Sequence, residues 1–132
     1  MCDLIREIKM PIRIDFVTVS SYGNADVSSG NVRVTGDLHQ DITDCSVLVV
    51  EDIIDTGHTL HYMRDYLNAR GARDVRICAL LDKPSRREVE VPVDYTGFAV
   101  EDEFIVGYGI DLSEQFRNLP FIAALKELEN NK

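Results

Sequence analysis

Apolar and polar positions alternate along the chain in blocks that predict helices and strands in turn. Residues 3–8 place their apolar side chains on one helical face, so they are predicted to form a short helix that Pro11 limits. Apolar and polar residues then alternate over 12–19, as in a half-buried strand. The Ser-, Gly- and Asn-rich stretch over 20–36 carries one short Val-Arg-Val strand and is expected to be a long mobile loop.

The middle of the chain has the order strand, helix, strand. A continuous apolar run over 47–50 is typical of a buried parallel strand. A helix with one apolar face follows over 59–71, ending at a glycine, and a second apolar strand follows over 75–81. This β-α-β alternation predicts an α/β fold, with a parallel sheet flanked by helices.

Three further elements are expected in the last third of the chain. Residues 95–100 and 104–108 are apolar enough to form strands. The sequence Asn-Leu-Pro at 118–120 is expected to open a final helix, because the apolar residues between 121 and 128 recur at helical spacing. With no internal repeat or linker, the 132 residues are predicted to form a single domain.

Candidate chemistry is concentrated where the 47–50 strand ends in two adjacent acids, Glu51 and Asp52. Ligands of parallel sheets bind beyond the carboxyl ends of the strands. A third acid, Asp55, opens a Thr-Gly-His-Thr turn into the next helix. Three neighbouring carboxylates repel one another unless a cation or hydroxyl groups lie among them. The free N–H groups of the helix start, with Gly57, favour a phosphate. Taken alone, the sequence at 55–57 would favour a helix-capping role for Asp55, but with the two acids before it the segment predicts a sugar-phosphate site with a divalent cation.

Composition narrows the function classes. The net charge of −9 argues against non-specific binding to nucleic-acid backbones. The three cysteines show neither metal-ligand spacing nor a disulfide framework, which fits a reducing cytoplasm. No apolar stretch is long enough to cross a membrane, so a membrane partner is not expected.

The sequence VLVVEDIIDTGHTL at 47–60 closely resembles the phosphoribosyl-pyrophosphate (PRPP) signature of the type I phosphoribosyltransferases. Nearly the whole chain is similar to the hypoxanthine-guanine branch of that family. The resemblance implies purine salvage, in which the 5-phosphoribosyl group of PRPP passes to hypoxanthine or guanine and gives IMP or GMP and pyrophosphate. It also implies Mg²⁺ as the cofactor and a homo-oligomeric assembly.

The resemblance assigns roles to the acids and the turn. Glu51 and Asp52 would contact the ribose hydroxyls, directly or through the metal, and Asp111 would help to hold that metal. Asp55 would be the catalytic residue, acting as general base toward the purine or stabilising its proton. The 5′-phosphate would be gripped by Asp55, Thr56, Gly57, His58 and Thr59.

The resemblance also defines a base side. Lys83 would contact the 6-oxygen of the purine and select hypoxanthine and guanine over adenine, because an ammonium group only donates hydrogen bonds. Phe104 would stack on the base, and the backbone of Ile105 would bind its hydrogen-bonding edge. From the residues alone, Lys83 could instead be a solvated surface lysine and Phe104 a core aromatic.

Two more assignments rest on the resemblance only. Arg117 would neutralise pyrophosphate through its forked, permanently charged donors. Ser21 and Tyr22 match a pair in the family's flexible loop, here about 20–36, which closes over the reaction and keeps water from the ribosyl centre. Without the resemblance, all three would be ordinary polar surface residues.

The chain departs from the family pattern at its beginning. In the resembling enzymes, the helix that matches residues 1–8 is preceded by a central strand that ends in a pyrophosphate-binding Leu-Lys-Gly loop. That strand would lie beside 47–50, so the domain is expected to be incomplete there, without its first central strand. Three explanations are open: a fragment or late start of a complete enzyme, a rearranged or oligomeric variant that covers the gap, or a catalytically impaired PRPP- or nucleotide-binding paralogue. The order of preference among hypoxanthine, guanine and xanthine is also open.

Overall fold

A computed structural model of the protein describes residues 1–21 and 32–125. Tyr22 and most of the predicted 20–36 loop therefore lie outside the described residues, as does the end of the predicted final helix. A short 3-10 turn, Pro84–Arg86, follows the fourth strand. The helices and strands are α1 Cys2–Glu7, β1 Thr18–Ser21, β2 Val32–Gly36, β3 Ser46–Ile54, α2 His58–Ala69, β4 Asp74–Asp82, β5 Tyr95–Ala99, β6 Phe104–Val106 and β7 Ala123–Leu125.

The parallel sheet predicted from the strand-helix-strand order is confirmed. Strands β3, β4 and β5 are hydrogen-bonded in that order, and both pairs are parallel. Helix α2 connects β3 to β4 and buries Leu60, Met63 and Leu67, as its apolar spacing predicted. The register sets Ile54 beside Asp82 and Asp82 beside Ala99, so the carboxyl ends of all three strands lie at one edge.

Strand β3 is longer than the apolar run indicated. Glu51 and Asp52 were predicted to follow the strand, but they lie within it, and it continues to Ile54. The reason is the ladder to β4, in which Glu51 pairs with Ala79 and Ile53 pairs with Leu81. A continuing partner strand therefore extends the element past two residues with low strand propensity.

Two predicted elements are wrong. The strand over 12–19 reduces to β1, because 12–17 pairs with no other strand among the described residues and its Ile12, Ile14 and Phe16 are exposed. Over the described part of the predicted final helix, residues 118–125, the chain forms turns and then strand β7, which pairs antiparallel with β6. Pairing with a distant strand overrides the local helical spacing there.

An apolar cavity lies along the outer edge of β3. Of the described strands, only β4 pairs with β3, so the other edge of β3 is open. The cavity has a volume of about 590 Å³ and is lined by β3, by residues 10–17 and by the α2 side chains Met63 and Leu67. The resemblance described above predicts a missing strand beside this edge.

Two features of the described chain concern the excluded function classes. Cys2, Cys45 and Cys78 form no disulfide bond within the described residues. Within 1–21 and 32–125, no helix is long and apolar enough to cross a membrane.

Candidate active site

The turn between β3 and α2, residues 55–58, has the backbone geometry of an anion site. Gly57 adopts a φ of 93° and precedes the first residue of α2, so the free N–H groups of the helix start lie at this turn. A small cavity of about 100 Å³ opens here. Its lining combines the predicted ribose and phosphate residues Glu51, Asp55, Thr56, Gly57 and Thr59 with Ile53, Ile54 and Leu60. Most of the residues that the sequence assigned to PRPP therefore share one cavity.

Gly57 is needed for its backbone angle and for its lack of a side chain. A Cβ atom on Gly57 would lie 2.5 Å from the carbonyl oxygen of Val89 and 3.1 Å from Cδ of Arg87. The chain after β4 therefore packs directly against the back of the 55–58 turn.

Replacement of Gly57 by alanine is expected to destabilise the protein and weaken phosphate binding. Alanine at positive φ costs about 1–2 kcal/mol, and the contact with the Val89 oxygen must be relieved by moving the turn. Gly71→Ala is the matched control, because Gly71 also has a positive φ of 83° but its Cβ would meet nothing closer than 3.5 Å. Urea unfolding and calorimetric titration with PRPP measure the two effects. Equal losses in both variants would contradict the role given to the contact with Val89.

Glu51 and Asp52 differ in their environments. Burial, together with the smaller effect of the negative charge of Asp52, raises the pKa of Glu51 to about 7. The Asp52 side chain is exposed and accepts a hydrogen bond from the backbone N–H of Ile53 at 2.7 Å. Near neutral pH, Glu51 can therefore take up or release a proton when a cation or a hydroxyl group arrives beside it.

The free energy of unfolding is expected to depend on pH through Glu51. The pKa of Glu51 is about 7 in the folded protein and near 4.5 when the residue is exposed. The stabilisation that comes from this difference in pKa is therefore fully present below about pH 4.5 and is lost as the pH rises to about 7. The loss is on the order of 3 kcal/mol, because one pKa unit corresponds to about 1.4 kcal/mol. Unfolding of wild type and Glu51→Gln across pH 4–8 measures it as the difference between the two curves. A difference that stays constant across this range would disprove the effect.

On the base side, Lys83 contacts the residue that precedes Phe104 in the sequence. Lys83 is only 12% exposed, so it is not a freely solvated lysine. Its Nζ donates to the backbone oxygen of Glu103 at 2.7 Å, and its backbone N–H donates to Ile54 at the end of β3. Phe104 is 68% exposed, so packing into the core is wrong as its role, whereas Ile105 is buried opposite Ala124 of β7.

Arg86 connects the 55–58 turn to the base side. Its Nε donates to Asp55 at 3.1 Å, and its Nη1 lies 3.7 Å from Asp102, which is itself 3.8 Å from Lys83. The hydrogen bond to Asp55 raises the pKa of the Arg86 guanidinium, so this group stays charged. Neither Arg86 nor Asp102 was predicted from the sequence, although the Ser-Arg-Arg run at 85–87, separated from Lys83 by one proline, places two more cations at the same rim.

Asp111 and Arg117 form a separate pair. Nη2 of Arg117 lies 2.7 Å from Asp111, and Nη1 donates to the backbone oxygen of Gly109 at 3.0 Å. Across 1–21 and 32–125, the structure brings together no group of three His, Cys, Asp or Glu side chains that could hold a metal. Carboxylates such as Glu51 and Asp52 nevertheless suit Mg²⁺, which usually takes only one or two protein carboxylates and completes its shell with water and substrate phosphates. Ser21 lies at the end of β1.

Comparison with known proteins identifies the family. The family described as phosphoribosyl transferase domain matches residues 2–113. The hypoxanthine phosphoribosyltransferase of Haemophilus influenzae is 55% identical over 122 residues, covering 92% of this chain and 68% of that protein. The match spans much of this chain but leaves about a third of that relative outside it.

Solved structures agree with the sequence comparison. The crystal structure of a hypoxanthine phosphoribosyltransferase from Staphylococcus aureus superposes with a TM-score of 0.90 at 43% identity, covering 95% of this chain and 68% of that one. A hypoxanthine-guanine phosphoribosyltransferase from Bacillus anthracis gives a TM-score of 0.89 at 50% identity, covering 95% and 74%. The chain therefore belongs to the phosphoribosyl transferase family, in which it is similar to the hypoxanthine and hypoxanthine-guanine phosphoribosyltransferases.

Proposed function

We propose that this chain acts in purine salvage as a hypoxanthine-guanine phosphoribosyltransferase, a glycosyltransferase that makes IMP or GMP and pyrophosphate from PRPP and a 6-oxopurine. The observation that carries the proposal is the arrangement at one edge of the sheet. There the cavity of the 55–58 turn lies beside a lysine and an exposed phenylalanine, with Arg86 between the two sides. A phosphate site next to a flat, donor-bearing base site suits a substrate pair of sugar phosphate and purine.

Each residue has a defined task in the proposed reaction. The 55–58 turn and Thr59 bind the 5′-phosphate, and Lys83 and Phe104 orient the base. The purine nitrogen forms a bond to C1′ of the ribose as the bond from C1′ to the pyrophosphate oxygen breaks. The proton of the attacking nitrogen passes to the carboxylate of Asp55. Positioning both substrates in one site supplies much of the rate enhancement.

Magnesium is proposed as the cofactor, with Glu51, Asp52 and Asp111 as the carboxylates that would hold it or its water. When bound, it would neutralise the charge on the departing pyrophosphate. Arg117 is proposed to share that task. We also propose that 20–36, with Ser21 and Tyr22, closes over the bound substrates, and that the protein assembles as a homo-oligomer.

The proposal is tested by product formation with four bases. The chain is incubated with PRPP, Mg²⁺ and hypoxanthine, guanine, xanthine or adenine, and the nucleotides are separated by chromatography. IMP and GMP are expected, with adenine used at least about 100-fold less efficiently, because Lys83 cannot accept a hydrogen bond from its amino group. Equal use of adenine, or no nucleotide under conditions in which the Staphylococcus aureus relative is active, would refute the proposal.

A further inference from the structure

The chain after β4 contacts each residue of the 55–58 turn. We call residues 86–89 the clamp segment. The backbone oxygen of Thr56 accepts hydrogen bonds from the N–H groups of Glu88 at 2.9 Å and Val89 at 3.0 Å. His58 Nε2 lies 2.9 Å from the Glu88 carboxylate, and the contacts of Asp55 with Arg86 and of Gly57 with Val89 complete the set. The turn is therefore held from behind by a second segment rather than by its own hydrogen bonds alone.

Within the clamp segment, Arg87 differs from its neighbours because it is mostly buried. Its side chain is 18% exposed, and it donates to the carboxylate of Asp82, which is 19% exposed. Its Nη1 atom is enclosed and has no hydrogen-bond partner among the described residues. That atom lies 3.5 Å from the position that a Cβ of Gly57 would occupy. A guanidinium with an unused donor is thus placed directly behind the turn.

The positive charge of Arg87 affects how the 55–58 turn would bind an anion. Guanidinium remains protonated under all ordinary conditions, so its charge cannot be avoided by loss of a proton. Charges in a partly desolvated setting act more strongly on their neighbours than charges in water do. One carboxylate, Asp82, faces this cation, and the 55–58 turn lies on its other side. An anion bound at the turn would therefore be attracted by whatever part of the Arg87 charge Asp82 leaves uncompensated.

We propose that Arg87 is a positioning residue for the 5′-phosphate of PRPP, which holds the 55–58 turn in its binding geometry and places fixed positive charge behind it. The negative charge of Asp82 offsets part of the Arg87 charge and so sets how strongly Arg87 attracts an anion at the turn. Arg87 acts through the turn and does not contact the substrate. This inference rests on the proposed function, because it assumes that a ribose phosphate binds there.

Substitutions that remove the positive charge of Arg87 or the negative charge of Asp82 test this role. Arg87→Met keeps the length of the side chain but removes charge and donors, and is expected to raise the KM for PRPP about tenfold or more, with the KM for hypoxanthine nearly unchanged. Arg87→Lys keeps the charge and is expected to recover most of that loss. Asp82→Asn leaves Arg87 uncompensated, and is expected to leave the KM for PRPP unchanged or lower it. Arg76→Met, on the exposed far end of β4, is the control for loss of an arginine.

Calorimetric titration with ribose 5-phosphate separates this inference from the proposed function. It reports binding at the turn even if no nucleotide is formed. The inference is supported if the wild-type protein binds ribose 5-phosphate and only the substitution of Arg87 lowers this affinity. If Arg87→Met binds as wild type does, or if Arg87→Met and Asp82→Asn weaken binding in parallel with a lowered Tm, Arg87 is a structural residue and the inference is overturned.

Discussion

Replacement of Asp55 by asparagine is expected to lower kcat by about 10²- to 10⁴-fold, the range over which a positioned general base contributes. Asparagine has nearly the same size, and its amide oxygen can still accept the hydrogen bond that Arg86 donates to Asp55. It cannot accept the proton of the attacking purine nitrogen. The KM for PRPP should change much less, because the backbone of the 55–58 turn is retained.

Initial rates at saturating PRPP, together with PRPP titrations, give kcat and KM separately. Asp65→Asn is a suitable control, since Asp65 lies on α2 and is exposed beside His61. A variant at position 55 that keeps more than about a tenth of wild-type kcat would rule out general-base catalysis by Asp55. An increase in KM for PRPP with unchanged kcat would assign Asp55 to the structure of the turn instead.

Replacement of Lys83 by methionine is expected to lower kcat/KM for hypoxanthine and guanine by about 100-fold or more. Methionine fills a similar volume but donates no hydrogen bond, so the 6-oxygen of the base would lose its partner in a largely enclosed position. The already slow use of adenine should fall far less, because Lys83 cannot serve its amino group. The ratio of kcat/KM for hypoxanthine to kcat/KM for adenine is therefore expected to fall.

Competition between hypoxanthine and adenine in a single reaction measures this preference directly. Lys9→Met is the matched control, because Lys9 is an exposed lysine near the end of α1. If the variant at position 83 uses both bases more slowly by the same factor, Lys83 stabilises the site without reading the base. Its backbone bond to Ile54 is kept in the variant, so the edge of the sheet should stay intact.

The elements with strong local patterns could be predicted, and their placement followed from general topology. The apolar run of β3 and the apolar face of α2 are local signals, and parallel strands place their carboxyl ends together, so the sequence also predicts where a candidate site would lie. Ile122 and Leu125 show what local spacing misses. Both fit a helix, but the structure packs Ile122 against the cluster around Leu81 and pairs Leu125 with Phe104 of β6.

In the candidate site too, local sequence signals could be predicted and contacts between distant residues could not. The 55–58 turn was recognisable because its residues are consecutive in the sequence. The clamp segment was not, since its contacts join residues about 30 positions apart, such as Arg86 with Asp55 and Glu88 with His58. Such pairs depend on how the end of β4 lies beside the end of β3, and no local pattern encodes them.

Because of the open edge of β3, self-association of this protein is expected to depend on its concentration. Among the described residues, no strand pairs with this edge, which lies beside an apolar cavity, and such an edge is a template for a strand from another molecule. Dilute samples would keep the edge hydrated, whereas concentrated samples would favour edge-to-edge pairing and, from there, aggregation. Concentrated stocks of this chain are therefore expected to aggregate, whereas dilute kinetic assays are expected to remain free of aggregates.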